Sequence, residues 1–339
     1  MNYLDKVKEA NLLGRGGAGF PAWQKWESAK NAESEDGVKY VICNSSEGEL
    51  GLFKDLYIWR NFPEEVFQGM KYAMDYIGSK EAYIHINKDY YLELQTVLHQ
   101  IINDDKWIGY KFNISLEEPS FIGGEASTIL NFIEKGKCQP RPKIHRTTEK
   151  GLFGKPTVMQ NVETLYDITC AIEGDYDQQR FSGIFGDGID EKFVVRHKNE
   201  ATIQEILDLA EVKPNFDFFV QVGGSASGVV YDNTQLNKHI MSGAGSIEIF
   251  DKSKRNELVF LKRLFEFYND ESCGKCTPCR EGSFQLHKMV KDLSKVKDIP
   301  WDEIKKIREL MLKASFCGLG RGLNAPVQTY IENVLKKKA

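Results

Sequence analysis

Three cysteines at a strict three-residue spacing constrain this chain more than any other feature of its sequence. Cys273, Cys276 and Cys279 form a Cys-x2-Cys-x2-Cys motif. A [4Fe–4S] cluster takes one thiolate at each corner, usually three from such a loop and one from a distant segment. We expect Cys317 to be the fourth ligand, because the glycines that follow it let backbone lie close to a cluster. The alternative is structural zinc, which usually takes two separated cysteine or cysteine/histidine pairs, and the second pair is missing.

The length and composition of the chain limit what surrounds this motif. At 339 residues it exceeds the size at which one hydrophobic core stops growing, so two or three domains are expected. The net charge of −4, with both signs interspersed, gives no reason to expect binding to nucleic acid or to an anionic membrane. No apolar run approaches the roughly 18 residues of a membrane span, and the start lacks the apolar segment of a signal peptide. Seven cysteines, four of them grouped, suit a reducing compartment, so a soluble cytoplasmic protein is predicted.

A glycine-rich segment near the N-terminus predicts a second cofactor site. Glycines occupy four of the six positions from Gly14 to Gly19, which lets backbone N–H groups converge on a phosphate or lie against a ring. The segment matches G-x-G-x-x-G, yet no strand precedes it and the acids that follow lie in a polar loop. We therefore interpret it as a phosphate or flavin loop that differs from an ordinary dinucleotide fingerprint. A flexible turn is the alternative.

Apolar runs and helical patterns alternate from residue 39 to about residue 135. The predicted elements are strands at 39–43, 82–86 and 112–116, and helices at 63–77, after an N-cap at Asp89 and after Gly123. Such alternation predicts a mostly parallel sheet with ligand sites at the carboxyl ends of its strands. Glu47 and Glu49 follow the first strand, and Glu125 follows the third, so all three fall at that edge. The alternative for these acids is a solvated loop.

The remainder of the chain changes character twice. Short strands are predicted at 193–196, 218–222, 229–231 and 247–250, with a helix that begins at the capping box Thr202-x-x-Glu205. This pattern predicts a small α+β unit without catalytic residues. Amphipathic helices then follow at 258–268, 282–293, 302–314 and 325–337, which predicts a small bundle with both cysteine segments at helix junctions.

Five blocks of this sequence resemble the flavin-carrying, NADH-oxidising subunit of respiratory complex I and its relatives in NAD-linked hydrogenases and formate dehydrogenases. The likeness runs from about residue 12 to residue 334. The blocks are 14–21 with Lys25 and Trp26, 42–44 through 53–55, Gly124 with Glu125, 151–164, and 271–282 with Cys317. Several blocks in the family's order are far more specific than any one of them.

The resemblance implies a fold and a reaction. It implies an α/β Rossmann-like FMN domain at 1–168, an α+β ubiquitin-like β-grasp domain of the SLBB type at 169–252, and a four-helix bundle with a [4Fe–4S] cluster at 253–339. A hydride would pass from nicotinamide to flavin, and single electrons would then pass to the cluster, or the reverse. The flavin performs this chemistry, so acids such as Glu47 and Glu49 are expected to position groups in the nicotinamide–flavin pocket.

The resemblance also implies which residues contact FMN or the nucleotide. They are Gly14, Arg15, Gly16, Gly17, Ala18, Gly19, Phe20, Lys25, Asn44, Ser46, Glu47, Phe121, Gly124, Glu125, Ala126, Lys143, Arg146 and Asn161. Cys273, Cys276, Cys279 and Cys317 would hold the cluster.

Three positions depart from the family and bear on nucleotide choice. Ala126 replaces an acid that faces the adenosine ribose, while Arg146 and Ser28 replace two phenylalanines that stack on adenine. An acid beside the ribose 2′-hydroxyl favours NADH, whereas a nearby arginine accommodates the 2′-phosphate of NADPH. These substitutions predict NADP(H) preference. The competing hypothesis is a degenerate nucleotide site in a flavin/iron–sulfur relay that exchanges electrons only with protein partners.

The resemblance further implies that the protein works in a complex. A thioredoxin-like [2Fe–2S] subunit and a larger iron–sulfur or hydrogenase-type subunit are the expected partners. Nucleic-acid binding and direct membrane insertion are not expected, although attachment to a membrane complex through partners is compatible with the family.

Overall fold

The computed structural model describes residues 2–337 and gathers them into two compact units. The first unit contains residues 2–48 and 53–179, and the second contains residues 49–52 and 180–337. The boundary expected at residue 168 falls before the end of the first unit. The further division of the second unit at residue 252 stays a prediction.

The first unit is an α/β structure built on four strands. Its helices and strands are α1 (Tyr3–Glu9), α2 (Ala22–Asn31), β1 (Tyr40–Ser45), α3 (Lys54–Asn61), α4 (Pro63–Ile77), β2 (Glu81–Asn87), α5 (Lys88–Ile102), β3 (Lys111–Glu117), α6 (Ala126–Lys135), β4 (Thr157–Asn161) and α7 (Val162–Glu173). The strands are all parallel and lie in the order β3-β2-β1-β4. The three predicted strands are confirmed, whereas β4 and α7 were not predicted.

Helix α4 shows how local sequence fixes the core of this unit. Pro63 occupies its first turn, and Gly78 ends it in the left-handed conformation that glycine adopts most readily. Its apolar face is fully buried, as the sequence predicted. Gly69 is required on this face, because a Cβ there would lie 2.1 Å from the carbonyl oxygen of Leu165 in α7. The two helix backbones therefore pack in direct contact.

Two predicted helix starts need correction or refinement. The N-cap of α5 is Asn87, whose side chain accepts a hydrogen bond from the Tyr90 N–H, and the predicted cap Asp89 lies inside the helix. Helix α6 begins at Ala126, and the Glu125 side chain caps it by accepting from the Thr128 N–H. The predicted turn at Gly123 therefore comes before the helix and does not form its first residue.

The second unit contains a sheet and a set of helices. Its elements are β5 (Gln179–Gly186), whose first residue belongs to the first unit, β6 (Phe193–Lys198), α8 (Ile203–Leu209), β7 (Phe218–Val222), β8 (Val229–Asp232), β9 (Ser246–Asp251), α9 (Glu257–Asp270), α10 (Thr277–Lys291), α11 (Trp301–Ala314), α12 (Gly318–Gly322), α13 (Asn324–Thr329) and a π-helical turn at Tyr330–Val334. The strand order is β6-β5-β9-β7-β8, with β5 parallel to β9 and β7 antiparallel to both its neighbours. The ubiquitin-like assignment of this mixed sheet stays a prediction.

The helix boundaries of the second unit differ from the predicted ones, and one of the differences places a cysteine inside a helix. The predicted capping box at Thr202 and Glu205 is confirmed. Helix α10 begins at Thr277, five residues before its predicted start, so Cys279 lies in its first turn. The predicted helix at 325–337 is shorter, since α13 gives way to the π-helical turn and the helical structure ends at Val334.

Candidate functional site

The order of the strands places a crevice in the first unit. Strands β2 and β3 lie on one side of β1 and β4 lies on the other, so the direction of the connections reverses between β1 and β4. In parallel α/β sheets, ligands bind at such a reversal, beyond the carboxyl ends of the strands. Asn44 and Asn161 are paired there at the ends of β1 and β4. Asn44 Nδ2 donates to the Gly124 carbonyl at 3.0 Å, and Asn161 accepts from the Glu163 N–H to cap α7.

A cavity of about 490 Å³ opens at this point. This volume is typical of a pocket that takes a cofactor or drug-sized ligand. The predicted residues on its wall are Gly14, Gly16, Ala18, Gly19, Phe20, Lys25, Asn44, Gly124, Glu125, Ala126, Lys143, Arg146 and Asn161. The structure therefore brings together most of the residues that the family resemblance assigned to FMN or nucleotide.

The glycine-rich segment forms a closed loop over the end of β4. The Gly14 N–H donates to the Phe20 carbonyl at 2.8 Å, which closes the loop. A Cβ at Gly16 would lie 3.3 Å from the Asn161 Cβ, so the loop backbone rests on that side chain. Gly19 has a φ of 62°, which favours glycine. The loop therefore exposes its backbone to the cavity at short range, which suits contact with a ring or phosphate.

Several residues of the wall were not identified from the sequence. They are Ala22, Thr147, Thr148, Thr157, Met159, Gln160 and Thr164. The Met159 carbonyl accepts from Lys25 Nζ at 2.9 Å, and the Gln160 side chain accepts from the Trp26 indole at 3.2 Å. Burial lowers the pKa of Lys25. The only sequence signal for Thr157, Met159, Gln160 and Thr164 is their place in the block 151–164, since β4 itself was not predicted.

Five predicted contact residues do not form part of the cavity wall within residues 2–337, namely Arg15, Gly17, Ser46, Glu47 and Phe121. The Arg15 side chain points into the protein, where Nε lies 3.0 Å from Asp167 Oδ2. Its backbone N–H donates to the Thr164 hydroxyl at 2.9 Å. Arg15 therefore anchors the loop to α7, and its guanidinium is not available to a ligand in the cavity.

Buried charges support the floor of the crevice. Lys54 Nζ lies 2.6 Å from Asp55 Oδ1 and 3.0 Å from Glu163 Oε2. Burial alone would lower the pKa of Lys54, but the two carboxylates outweigh this effect and the pKa is raised overall. Asn161 Nδ2 donates to Asp55 Oδ2 at 2.5 Å, which ties this ion-pair cluster to the cavity wall. Buried pairs with such contacts fix geometry more reliably than they add stability.

Glu47 belongs to the same buried region. Its Oε2 accepts from the Tyr90 hydroxyl at 2.9 Å and from the Asp55 N–H at 3.0 Å. Its Oε1 is buried and has no hydrogen-bond partner among residues 2–337. Burial, with the negative charge of Asp55, raises the pKa of Glu47 to about 8. Its contacts make it a residue that holds the loop after β1 in place.

Glu49 is not among the residues that line the described cavity, and its place in the nicotinamide–flavin pocket stays a prediction. It belongs to the second unit, where its Oε2 accepts from the Ser225 hydroxyl at 2.8 Å and from the Ala226 N–H at 3.1 Å. Burial raises the pKa of this carboxyl group. Because its hydrogen bonds hold the segment between β7 and β8, Glu49 has a positioning role within the second unit.

The residues expected to select the nucleotide lie together at the start of α6. Glu125 Oε1 lies 2.6 Å from Lys143 Nζ, and Ala126 is the first residue of the helix. Ala126, Lys143 and Arg146 also line a second cavity of about 490 Å³. Its basic residues are Arg141, Lys143, His145, Arg146 and Lys150. Ser28 donates to or accepts from the Thr148 hydroxyl at 2.7 Å and is not on the wall of either described cavity.

The four predicted cluster ligands converge in the second unit. Cys276 is the N-cap of α10 and Cys279 lies in its first turn, so the positive end of the helix faces their sulfurs. Burial raises the pKa of the Cys279 thiol to about 11, and the thiols of Cys276, Cys317 and Cys273 each add to the rise. The other three thiols are thus each within electrostatic reach of Cys279. A Cβ at Gly320, three residues after Cys317, would lie 3.0 Å from the Cys279 Cβ.

The residues present suit a four-iron cluster. Each thiolate of a [4Fe–4S] cluster binds a different iron, and four cysteines are available for the four corners. Within residues 2–337, no three His, Cys, Asp or Glu side chains gather closely enough to hold a single metal ion. The match of residues 259–336 to an iron–sulfur binding region is what favours the cluster over zinc.

Comparison with known proteins agrees with both sites. Residues 7–170 match the family described as Nuo51 FMN-binding domain, and residues 259–336 match the NADH-ubiquinone oxidoreductase-F iron–sulfur binding region. The alpha subunit of the NAD-reducing hydrogenase HoxS of Cupriavidus necator is 30% identical over 97% of this chain, which spans 58% of that relative. The F subunit of the NADH-quinone oxidoreductase of Mycobacterium tuberculosis is 30% identical, with 96% of this chain and 81% of the relative covered.

A solved structure shows the same fold. The crystal structure of an NAD⁺-reducing [NiFe]-hydrogenase in the H₂-reduced state matches 98% of this chain with a TM-score of 0.86 and 26% identity, and the match spans 61% of the hydrogenase chain. No helix within residues 2–337 has the length and apolar character needed to cross a membrane. With a flavin-type cavity in one unit and four converging cysteines in the other, the chain belongs to the family of the FMN- and [4Fe–4S]-binding 51 kDa subunits of NADH-quinone oxidoreductases.

Proposed function

We propose that this protein is the electron-input subunit of a larger oxidoreductase and passes electrons between a nicotinamide nucleotide, FMN and a [4Fe–4S] cluster. The observation that carries the proposal is the cavity at the reversal between β1 and β4, whose wall combines the glycine loop with Lys25, Asn44 and Asn161. When bound, FMN supplies hydride chemistry and the cluster supplies single-electron transfer. The chain itself binds and orients these groups.

The residues around the cavity support this division of work. The glycine loop offers backbone at short range, and the Lys25 ammonium is held on the wall by the Met159 carbonyl. The two asparagines fix the turn at Gly124 and the start of α7. Half-exposed Phe20 offers a ring at the cavity mouth, suited to stacking against a planar ligand. None of these groups needs to exchange a proton with the substrate.

We further propose that the preferred nucleotide is NADP(H). Ala126 leaves one carboxylate, Glu125, at the start of α6, and Lys143 neutralises it at 2.6 Å. The adjoining second cavity is lined by five basic residues, with Arg146 on the walls of both cavities. A 2′-phosphate placed there would meet Arg146, while Arg141 and Lys143 are already paired with Glu134 and Glu125. Arginine pairs with phosphate in bidentate, charge-assisted contacts that are roughly twice as strong as neutral hydrogen bonds.

Steady-state reduction of an artificial electron acceptor by the purified protein, with each nucleotide, tests this preference. We expect kcat/KM to be at least tenfold higher with NADPH than with NADH. Arg146→Ala should lower the value for NADPH alone, and Ala126→Glu should invert the preference by placing a carboxylate beside the phosphate. Lys135→Ala, on the last turn of the same helix and on neither cavity wall, is the matched control. A tenfold advantage for NADH in the unmodified protein would refute the preference.

The same measurement separates the electron-input role from the relay alternative. If neither nucleotide reduces the flavin while dithionite reduces both flavin and cluster, the protein is a relay between protein partners. If NADH but not NADPH reduces the flavin, the electron-input role holds and only the nucleotide assignment fails.

We propose that the electrons leave for other subunits of a complex, with a thioredoxin-like [2Fe–2S] subunit and a larger iron–sulfur or hydrogenase-type subunit as partners. Seven cysteines with four committed to a cluster support a cytoplasmic, reducing location. Purification of the native assembly through a tag on this chain, followed by identification of the co-purified subunits, tests the partner assignment. Recovery of the chain alone from its native host would argue against it. Cell fractionation tests the location.

A further inference from the structure

A buried serine next to the cysteines has an unused hydroxyl group. Ser315 follows α11 and is 1% exposed. Its backbone is fully bonded, since its N–H donates to the Met311 carbonyl at 3.0 Å and its carbonyl accepts from Arg321 Nε at 2.8 Å. Its Oγ is buried and has no hydrogen-bond partner among residues 2–337. A buried hydroxyl without a partner costs free energy, so its retention calls for an explanation.

The position of Gly320 shows where this hydroxyl lies. A Cβ at Gly320 would be 2.4 Å from Ser315 Oγ and 3.0 Å from the Cys279 Cβ. The hydroxyl and a predicted cluster ligand thus approach the same side of one glycine, which has to lack a side chain. Ser315 is also two residues before Cys317 in the sequence. Ser315 is therefore close to Cys279 in space and to Cys317 along the chain.

We propose that Ser315 donates a hydrogen bond to a sulfur of the bound [4Fe–4S] cluster and thereby raises the reduction potential of that cluster. The inference rests on the cluster assignment and not on the choice of nucleotide. A cluster gains negative charge when it is reduced, so a donor at one of its sulfurs stabilises the reduced form more than the oxidised form. Hydrogen bonds to the sulfurs are among the features that set cluster potentials.

Two other serines of the second unit can be compared with Ser315: Ser272 shows a hydroxyl–sulfur contact, and Ser283 serves as a control position. Ser272 Oγ lies 3.7 Å from Cys279 Sγ, which is a direct contact between a hydroxyl and a ligand sulfur. Ser283 is 1% exposed and lies on α10 like Cys279, but its Oγ lies 3.4 Å from the backbone carbonyl of Arg280, to which it can donate. Ser283→Ala therefore removes the same volume from the same region without removing a donor from the cluster.

The test is a redox titration of the cluster in the whole protein, in which electron paramagnetic resonance measures the fraction of reduced cluster at each potential. We expect Ser315→Ala to retain iron, sulfide and FMN but to show a more negative midpoint potential. The equilibrium constant for one-electron reduction should fall three- to tenfold, where tenfold corresponds to 59 mV. Ser315→Thr, which keeps a hydroxyl group, should stay close to the unmodified protein, and Ser283→Ala should not shift the potential.

An unchanged potential in iron-replete Ser315→Ala would overturn the proposal, as would an equal shift in Ser283→Ala. If the alanine variant loses iron, Ser315→Thr and Ser315→Val decide the matter, because they have the same shape and differ only in the hydroxyl group. A more negative potential, or loss of the cluster, in the valine variant alone supports the hydrogen bond. Equal behaviour of the two variants excludes it. FMN content and nucleotide preference, measured in parallel, show whether any failure lies with the flavin site instead.

Discussion

Replacing Glu47 by glutamine should change how the stability of the first unit depends on pH. Burial, with the charge of Asp55, raises the pKa of Glu47 from 4.5 to about 8. The folded protein therefore keeps this proton up to about pH 8, whereas the unfolded chain releases it near pH 4.5. Between these values the folded state binds more protons, so the free energy of unfolding falls as pH rises. Glutamine cannot ionise and removes this pH dependence.

The size of the effect follows from the pKa. Each pKa unit corresponds to 1.36 kcal/mol, so the full rise is worth about 5 kcal/mol at and above pH 8, as an upper bound. Domains of this size shift in Tm by roughly 2–4 °C per kcal/mol. Glutamine keeps a carbonyl oxygen to accept from the Tyr90 hydroxyl and the Asp55 N–H. We therefore expect similar Tm values near pH 5 and a Glu47→Gln variant that is more stable at pH 8 by up to about 10–20 °C.

The assay is thermal melting of the holoprotein at fixed ionic strength between pH 5 and 8.5. Melting is monitored through the rise in flavin fluorescence as FMN is released. Glu118→Gln is the control, because the Glu118 side chain is 79% exposed and should have no such effect. The unmodified protein, Glu47→Gln and Glu118→Gln share all their other acidic residues. The pH dependence that those residues contribute to Tm therefore cancels when the three profiles are compared. Parallel pH profiles for the unmodified protein and Glu47→Gln would refute the reasoning.

Two further substitutions test the two cofactor sites separately. Gly123→Ala should lower FMN affinity at least tenfold with iron unchanged. Its Cβ would lie 2.1 Å from the carboxylate of Glu117, so the substitution should displace the adjoining Gly124, which lies on the cavity wall. Fluorescence titration of the apoprotein with FMN measures this, and an unchanged Kd would contradict it. Cys317→Ser should abolish or greatly reduce cluster-bound iron while FMN is retained; a colorimetric iron assay checks it, and full iron content would remove Cys317 from the ligand set.

The sequence was most informative where one short segment determines its own structure. Helix α4 follows from Pro63, its apolar periodicity and Gly78, and all of these act within a few residues. The cysteine spacing and the glycine loop are likewise local, and the structure brings both to places that suit a cofactor. Strands β1 to β3 are recognisable because their apolar runs are flanked by polar loops.

The sequence was least informative where a residue depends on a distant partner. Helix α7 escaped prediction because ten of its twelve residues are buried, including Glu163 and Asp167, so it lacks a polar face. Its buried acids are neutralised by Arg15 and Lys54, which are more than a hundred residues away. The same contacts set the direction of the Arg15 side chain, which the sequence alone could not predict. The partners of Glu49 were not predicted for the same kind of reason, since they lie near residue 225.

The short segment 49–52 limits how the protein can be divided. It belongs to the second unit although residues of the first unit precede and follow it. Glu49 accepts from the Ser225 hydroxyl and the Ala226 N–H, and Gly51 leaves room for the Phe185 ring, 2.6 Å from where a Cβ would be. A gene fragment that starts at residue 180 would lack these four residues and leave the Ala226 N–H without its acceptor. The two units are therefore interleaved along the polypeptide. A chimera that takes its second unit from a related protein would have to include that protein's equivalents of both residues 49–52 and the segment from residue 180 onward.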